Sequence, residues 1–157
     1  MKTKPQKYTQ EELKSFSKYP YDPTLPIFVY GTKLKGINGA GAARCSSDIY
    51  GADYGVGFGF TGQAFALPTK RSPEESLSLR MVESYVILFL EIAREHGLQY
   101  GTRFNLTKIG CGLAGFDQRE IADMFRNAPT NVWLVNDLGD PVYPARDWYG
   151  KLRGELL

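Results

Sequence analysis

Two glycine-rich segments contain the residue types that bind phosphate. "GINGAGAA" (36–43) follows the apolar run "IFVY" (27–30), and "GCGLAG" (110–115) follows a second strand-like segment. Glycine lets the backbone approach a ligand, and the amides at the start of a following helix point outward as anion donors. Two such loops in one crevice suit a diphosphate or a phosphate linked to a ribose. Alternatively, the glycines serve only tight turns and close helix packing.

Polar side chains near these loops are candidates for binding and catalysis. Lys70 follows a predicted strand and could neutralise a phosphate, with Thr69 adding a hydroxyl, or both could belong to a solvated turn. Asn38 and Asp48 could orient a water for hydrolysis at a ribose C1 or a terminal phosphate. Because Asp48 also fits a helix-surface carboxylate, Asn38 and Lys70 are the predicted catalytic residues.

The histidine and the cysteines offer little conventional catalysis. His96, the only histidine, is predicted in the last turn of a helix, where a cation is favoured by the helix dipole. Cys111 lies among amides that could lower its pKa and activate the thiolate, but a small buried filler is the favoured interpretation. Cys45 and Cys111 lack zinc or disulfide spacing, so we expect reduced thiols, no metal and no cofactor.

A second group of candidates is aromatic. Four aromatic side chains lie within or next to the glycine-rich segment 51–62 and could stack a base or cover a ribose. The alternative is that they anchor the loop to the core. They are Tyr50, Tyr54, Phe58 and Phe60, and Tyr54 is the first choice because its neighbours are polar residues and glycine.

Other function classes are disfavoured. Neither loop ends in the Gly-Lys-Ser/Thr of a phosphate-binding P-loop, and no GxGxxG follows "IFVY", which disfavours nucleoside triphosphate hydrolysis. The net charge is +2, and the first 35 residues hold seven lysines. Such an arm could attract nucleic acid, but a solvated arm is favoured. With no apolar stretch of about 18 residues and no secretory signal, we expect a cytoplasmic protein without membrane association.

The elements that position these loops follow from the hydrophobic pattern. We predict an arm at 1–25, with a short helix and a proline-rich linker, and one domain at 26–157. Strands are predicted at 27–30, 63–68, 102–109 and 131–135, with an irregular loop at 51–62. Helices are predicted after the first glycine loop, over 72–97 and over 116–129. The pattern leaves the structure of the tail from 137 open.

The 72–97 helix has the clearest signals. Ser72 is predicted as its N-cap, with Glu75 completing a capping box, and Gly97 as its end. Residues spaced three or four apart predict its core face, namely Val82, Val86, Phe89 or Leu90, and Ala93.

Alternating strands and helices predict a three-layer α/β/α domain with a mostly parallel central sheet. Loops that leave the carboxyl ends of parallel strands lie at one edge of the sheet, where ligands bind. Both glycine loops follow strands, so we expect them at that edge.

The loops also resemble a known family. "IGCGLAGF" (109–116) is similar to the second phosphate loop of macro domains, with Cys111 in place of Ser/Thr and Ala114 in place of an aromatic residue. The first loop resembles their glycine-rich loop through Leu34, Gly36, Gly39, Gly41 and Ala42. Together with "ALPTK" (66–70), these motifs are closest to a small divergent macro-like group of bacterial and phage proteins.

The resemblance implies a small-molecule ligand of the ADP-ribose type. Macro domains place an asparagine for the distal ribose where this chain has Gly31, Thr32 and Lys33, and Asn38 is the nearest substitute. The residues and the resemblance together give the predicted ligand-binding set, which is Gly36, Gly39, Ala40, Gly41, Ala42, Tyr54, Thr69, Cys111, Gly112, Leu113, Ala114, Gly115 and Phe116.

Three functions remain open at this point. The enzyme version is an ADP-ribose 1″-phosphate phosphatase or ADP-ribosyl hydrolase, and the binding version is a non-catalytic sensor or sequestering module. Nucleic-acid binding is a third and less favoured function, and the oligomeric state stays open.

Overall fold

The computed structural model describes residues 21–36, 43, 46, 50–53, 55–112 and 114–154. The strands are β1 (Ile27–Lys33), β2 (Gly59–Thr61), β3 (Ala64–Ser72), β4 (Glu75–Ser76), β5 (Phe104–Leu106), β6 (Val132–Val135) and β7 (Pro141–Pro144). The helices are α1 (Leu79–Tyr100), α2 (Gln118–Asp123) and α3 (Trp148–Leu152), with a 3₁₀ turn at Ala145–Asp147. The predicted N-terminal helix lies outside the described residues.

The described strands form one seven-stranded sheet in the order β2-β3-β1-β5-β6-β7, with β4 paired to β3. The four central strands β3, β1, β5 and β6 run parallel, and β2 and β7 are antiparallel at the edges. Val29 of β1 aligns with Phe65 of β3 and Leu106 of β5. The predicted, mostly parallel sheet is confirmed.

Helical residues flank both faces of this sheet. The main core lies between the sheet and α1, α2 and α3, and all five core positions predicted on α1 are buried. On the opposite face, Ala43, Ser46 and Tyr50 have helical backbone, and the Tyr50 ring stacks on Phe28 with 4.3 Å between centroids. The architecture is compatible with the predicted three-layer α/β/α arrangement.

The predicted ends of the long helix are wrong. Ser72 is the last residue of β3 and pairs with Glu75 of β4, because Pro73 and Glu74 reverse the chain into a hairpin. The actual N-cap is Ser78, whose side chain accepts a hydrogen bond from Met81 N at 3.2 Å. The helix passes Gly97 and ends at Gly101, whose φ of 69° suits a glycine cap.

Three other predicted elements change their bounds. The 51–62 segment is not wholly irregular, because Gly59–Thr61 pairs antiparallel with β3. The 102–109 strand is regular only over Phe104–Leu106. The 116–129 helix is α-helical only over Gln118–Asp123, after the N-cap Asp117.

The C-terminal segment packs on the domain through 154, the last residue that the structure describes there. Trp148 is completely buried, and its Nε1 donates to Gln118 Oε1 at 3.1 Å. In the part of the chain that the structure describes, no helix has the length and apolar character needed to span a membrane.

Candidate functional site

Three parallel strands bring the predicted residues to one edge. A Cβ added to Gly31, near the end of β1, would lie 3.4 Å from Thr69 Oγ1 and 3.5 Å from Ile109 Cβ. The ends of β1 and β3 therefore contact the start of the second glycine loop. The structure thus brings Thr69 and this loop together at the carboxyl edge of the sheet.

The second glycine loop is held by its own backbone and by β4. Phe116 N donates to Gly110 O at 2.9 Å, and Gly115 N donates to Gly112 O at 3.0 Å. The Ser76 hydroxyl donates to Ala114 O at 2.6 Å, which joins the loop to the β3–β4 hairpin. These three hydrogen bonds hold the described residues of the loop at this edge of the sheet.

Gly112 differs from the other glycines of this loop. Gly110 and Gly115 have φ values of 73° and 76°, which favour glycine whatever the ligand. Gly112 has no left-handed φ, and apart from its chain neighbours no atom of the described residues lies within 4 Å of a Cβ added there. Neither backbone conformation nor packing within the described residues requires glycine at this position.

Gly36 supports the alternative interpretation of the first loop. Its φ is 70°, and an added Cβ would collide with the backbone of Val56. Its carbonyl also accepts a hydrogen bond from Gly55 N at 3.1 Å. A tight turn and close packing are therefore sufficient to explain this glycine.

Much of the predicted site lies outside the described residues. These residues are Asn38, Gly39, Ala40, Gly41, Ala42, Tyr54 and Leu113, together with Cys45 and Asp48. Their roles stay predictions.

The carboxyl edge is basic. Lys33 and Lys70 are Cα partners at the ends of β1 and β3, Lys35 follows in the turn, and Lys108 precedes the second glycine loop. No carboxylate of the described residues forms an ion pair with any of these four lysines. Lys70 Nζ donates to Pro73 O at 2.7 Å, which fixes this cation near the edge. Positive charge without a neighbouring counter-ion favours an anionic ligand.

Sequence reasoning missed three of these lysines. Lys33, Lys35 and Lys108 carry no motif of their own. The signal that could have found them is their position directly at or after the ends of two predicted parallel strands.

The surroundings of Cys111 disfavour the thiolate that a nucleophilic cysteine requires. Its thiol donates to Ile109 O at 3.3 Å and packs against the main core. Burial raises the pKa of this thiol to about 11; Asp117 adds to the increase and Lys108 opposes it. The protonated, half-buried thiol agrees with the favoured interpretation as a small filler.

His96 lies far from the basic edge. It is seventeen residues after Leu79, which places it about 26 Å along α1 from the start of the helix. Its Nδ1 lies 2.9 Å from Ile92 O, and its ring packs on Tyr21 and Phe60 with centroid distances of 5.6 and 5.0 Å. These contacts agree with a structural role for His96. The sequence predicts it in the last turn of the helix, but α1 continues to Tyr100 and the His96 ring packs among aromatic side chains.

The described aromatic candidates anchor the core. Phe58 packs edge-on against Phe65 with 5.3 Å between centroids. Phe60 stacks on Tyr21 at 4.4 Å, and Tyr50 stacks on Phe28. Of the predicted group, only Tyr54 keeps the ligand-stacking role as an untested prediction.

Comparison of the chain with known proteins finds no relative. No family model, no curated protein and no solved structure matches the chain. Within the described residues, no group of three or more His, Cys, Asp or Glu side chains could hold a metal ion.

Proposed function

We propose that the chain binds a phosphorylated ribose ligand of the ADP-ribose type at the carboxyl edge of β1, β3 and β5. The observation that carries the proposal is Gly112. Gly112 lies in the second glycine loop, and a side chain at this position would enter space that the described residues leave open. Close approach of a ligand to the backbone supplies the reason for glycine that folding does not.

The charges at this edge support an anionic ligand. Lys33 and Lys70 lie at paired positions near the ends of β1 and β3, and Lys108 precedes the second glycine loop, without carboxylate ion pairs among the described residues. An ammonium group is a point charge that binds phosphate oxygens. The similarity of "IGCGLAGF" to a macro-domain phosphate loop suggests that this anion is part of an ADP-ribose derivative.

Binding without turnover is favoured over hydrolysis by two observations. The thiol of Cys111 has its pKa raised to about 11, and His96 lies at the other end of α1. Neither group supplies a nucleophile or a general base at the basic edge. Hydrolysis therefore depends on Asn38, with Lys70 stabilising charge on the phosphate.

Calorimetric titration tests the binding proposal. The wild-type chain is titrated with ADP-ribose, ADP-ribose 1″-phosphate and AMP in the same salt, beside Gly112→Leu and Lys70→Gln. Gly112→Leu should weaken binding by about tenfold or more by filling the open space, with an unchanged unfolding midpoint. Lys70→Gln should weaken binding most at low salt. An absence of binding to all three ligands by the wild-type chain contradicts the proposal.

A phosphate-release assay separates the enzyme from the binding module. The wild-type chain and Asn38→Ala are incubated with ADP-ribose 1″-phosphate, and inorganic phosphate is measured. Release by the wild-type chain that Asn38→Ala loses while still binding identifies a hydrolase. Binding with no release by either form identifies a sensor or sequestering module.

A further inference from the structure

One short segment concentrates polar atoms without partners. Thr102, Arg103 and Asn105 each have one buried side-chain atom without a hydrogen bond in the described part of the chain. Asn105 is only 2 % exposed, and its Oδ1 is the unpaired atom. Because burying an amide without a partner opposes folding, stability does not explain an asparagine here.

Asn105 faces the side of the sheet opposite α1. Its neighbours Phe104 and Leu106 are completely buried in the main core, and successive side chains of a strand alternate between faces. Its Cα partners on the adjacent strands are Phe28 and Trp133. Residues at the same register of neighbouring strands share a face, so aromatic residues flank the amide on both sides.

Arg103 adds a cation to this face. Its Cζ lies 4.8 Å from the centroid of the Trp133 ring, and its Nε is buried without a partner. No carboxylate of the described chain pairs with it. Arg103 and Trp133 are each partly exposed, so solvent reaches these two side chains beside the buried Asn105.

The unpaired groups define the ligand chemistry. A guanidinium only donates hydrogen bonds, whereas a carboxamide both donates and accepts. A planar ring that carries an acceptor and a donor on its edge satisfies both, and aromatic and guanidinium faces are suited to stacking such a ring. A nucleobase has these properties.

The position of Asn105 relates this group to the basic edge. Thr107, where β5 leads into the second glycine loop, is two positions after Asn105, or about 7 Å along the strand. We propose that Asn105, with Arg103 and Trp133, forms a subsite for the base of a nucleotide ligand whose phosphate lies at the basic edge. This inference rests on the proposed function of that edge.

The test compares AMP with ribose 5-phosphate, which has the phosphate and no base. Asn105→Leu should bind AMP about tenfold more weakly and ribose 5-phosphate as the wild-type chain does. Its thermal unfolding midpoint should be unchanged or higher, because an unpaired amide is replaced by an apolar group. Arg103→Gln should likewise weaken the binding of AMP and leave the affinity for ribose 5-phosphate unchanged.

Asn131→Leu is the matched control. The Asn131 Nδ2 group uses both of its donors, one to Ala93 O and one to Thr102 O, at 2.8 Å each. Its replacement should lower the unfolding midpoint and leave AMP binding unchanged.

The outcomes separate the two proposals. Unchanged AMP affinity in Asn105→Leu overturns the base subsite, while the phosphate site stands if Gly112→Leu still weakens binding by about tenfold or more. An unfolding midpoint of Asn105→Leu as low as that of Asn131→Leu assigns Asn105 a structural role and also overturns the inference. Binding of ADP-ribose but not of AMP by the wild-type chain also overturns the base subsite, whereas failure to bind ADP-ribose, ADP-ribose 1″-phosphate and AMP overturns the proposed function itself.

Discussion

The side-chain amide of Gln63 forms two hydrogen bonds with the main chain of Asp22. Asp22 N donates to Gln63 Oε1 at 2.8 Å, and Gln63 Nε2 donates to Asp22 O at 2.9 Å. The same Nε2 lies 3.3 Å from Leu25 O and 3.4 Å from Pro26 O. Gln63 is completely buried, so one side chain holds the described part of the predicted linker against the domain.

Replacement of Gln63 should cost more stability than a typical substitution. Gln63→Leu leaves the Asp22 amide and the carbonyls of Asp22 and Leu25 without this partner in a partly buried place. We expect the free energy of unfolding in urea to fall by about 2 kcal/mol or more. Gln99→Leu, on an exposed position of α1, is the control and should change it by less than about 0.5 kcal/mol. Equal changes in the free energy of unfolding in the two variants would show that the hydrogen bonds between Gln63 and Asp22 do not stabilise the fold.

The helix start at Ser78 is tested by a pair of serine variants. Ser78→Ala removes the cap bond to Met81 N and should lower the free energy of unfolding by about 1 kcal/mol. Ser72→Ala lies in β3, caps nothing, and should change it by less than about 0.5 kcal/mol. Thermal unfolding followed by circular dichroism measures both. A larger loss in Ser72→Ala would support the helix start that the sequence predicts.

The core face of α1 was predictable from sequence, but its ends were not. A spacing of three and four residues identifies Val82, Val86 and Ala93 wherever the helix begins, because burial follows the periodicity alone. The position of each helix end depends on whether helix capping or another local structure, such as strand pairing, is more stable for the same residues. Residues 72–75 form a good capping box, yet Ser72 and Glu75 pair as strands because β3 offers an open edge.

The placement of Thr69 beside the second glycine loop was also predictable, whereas the packing around each glycine was not. Strand order and the carboxyl-edge rule place Thr69 beside the second loop without knowledge of contacts. Gly36 and Gly112 look equivalent in sequence, but the backbone of Val56 fills the space beside Gly36, whereas no non-neighbouring residue that the structure describes fills the space beside Gly112. Such differences arise from tertiary neighbours that no local pattern encodes.

Gly57 provides a direct test of close backbone packing. A Cβ added to Gly57 would collide with Leu34 O, a backbone atom that cannot rotate away. Gly57→Ala should therefore lower the free energy of unfolding in urea by about 2 kcal/mol, as overpacking does. Gly112→Ala is the matched control and should be nearly neutral, since its Cβ enters open space. A neutral Gly57→Ala would mean that the loops at 34 and 57 are not in contact.

Alkylation of Cys111 should be slow at neutral pH. Only the thiolate reacts, and burial raises the pKa of this thiol from its ordinary value of 9.0 to about 11. Burial disfavours the charged form, so at pH 8 the thiolate fraction is roughly one hundredth of that of an unfolded cysteine. The rate with iodoacetamide, followed on the Cys111 peptide by mass spectrometry, should rise about tenfold per pH unit until pH 11.

The same reaction in urea is the control for Cys111, because unfolding removes the burial and should return the inflection to pH 9. An inflection below pH 9 in the folded chain would mean that the loop amides and Lys108 outweigh burial and stabilise the thiolate. Cys111 would then be a candidate nucleophile at the phosphate loop, and hydrolysis would become the favoured function. With the inflection near pH 11, Cys111→Ser should retain ligand affinity, since the sulfur then serves packing alone.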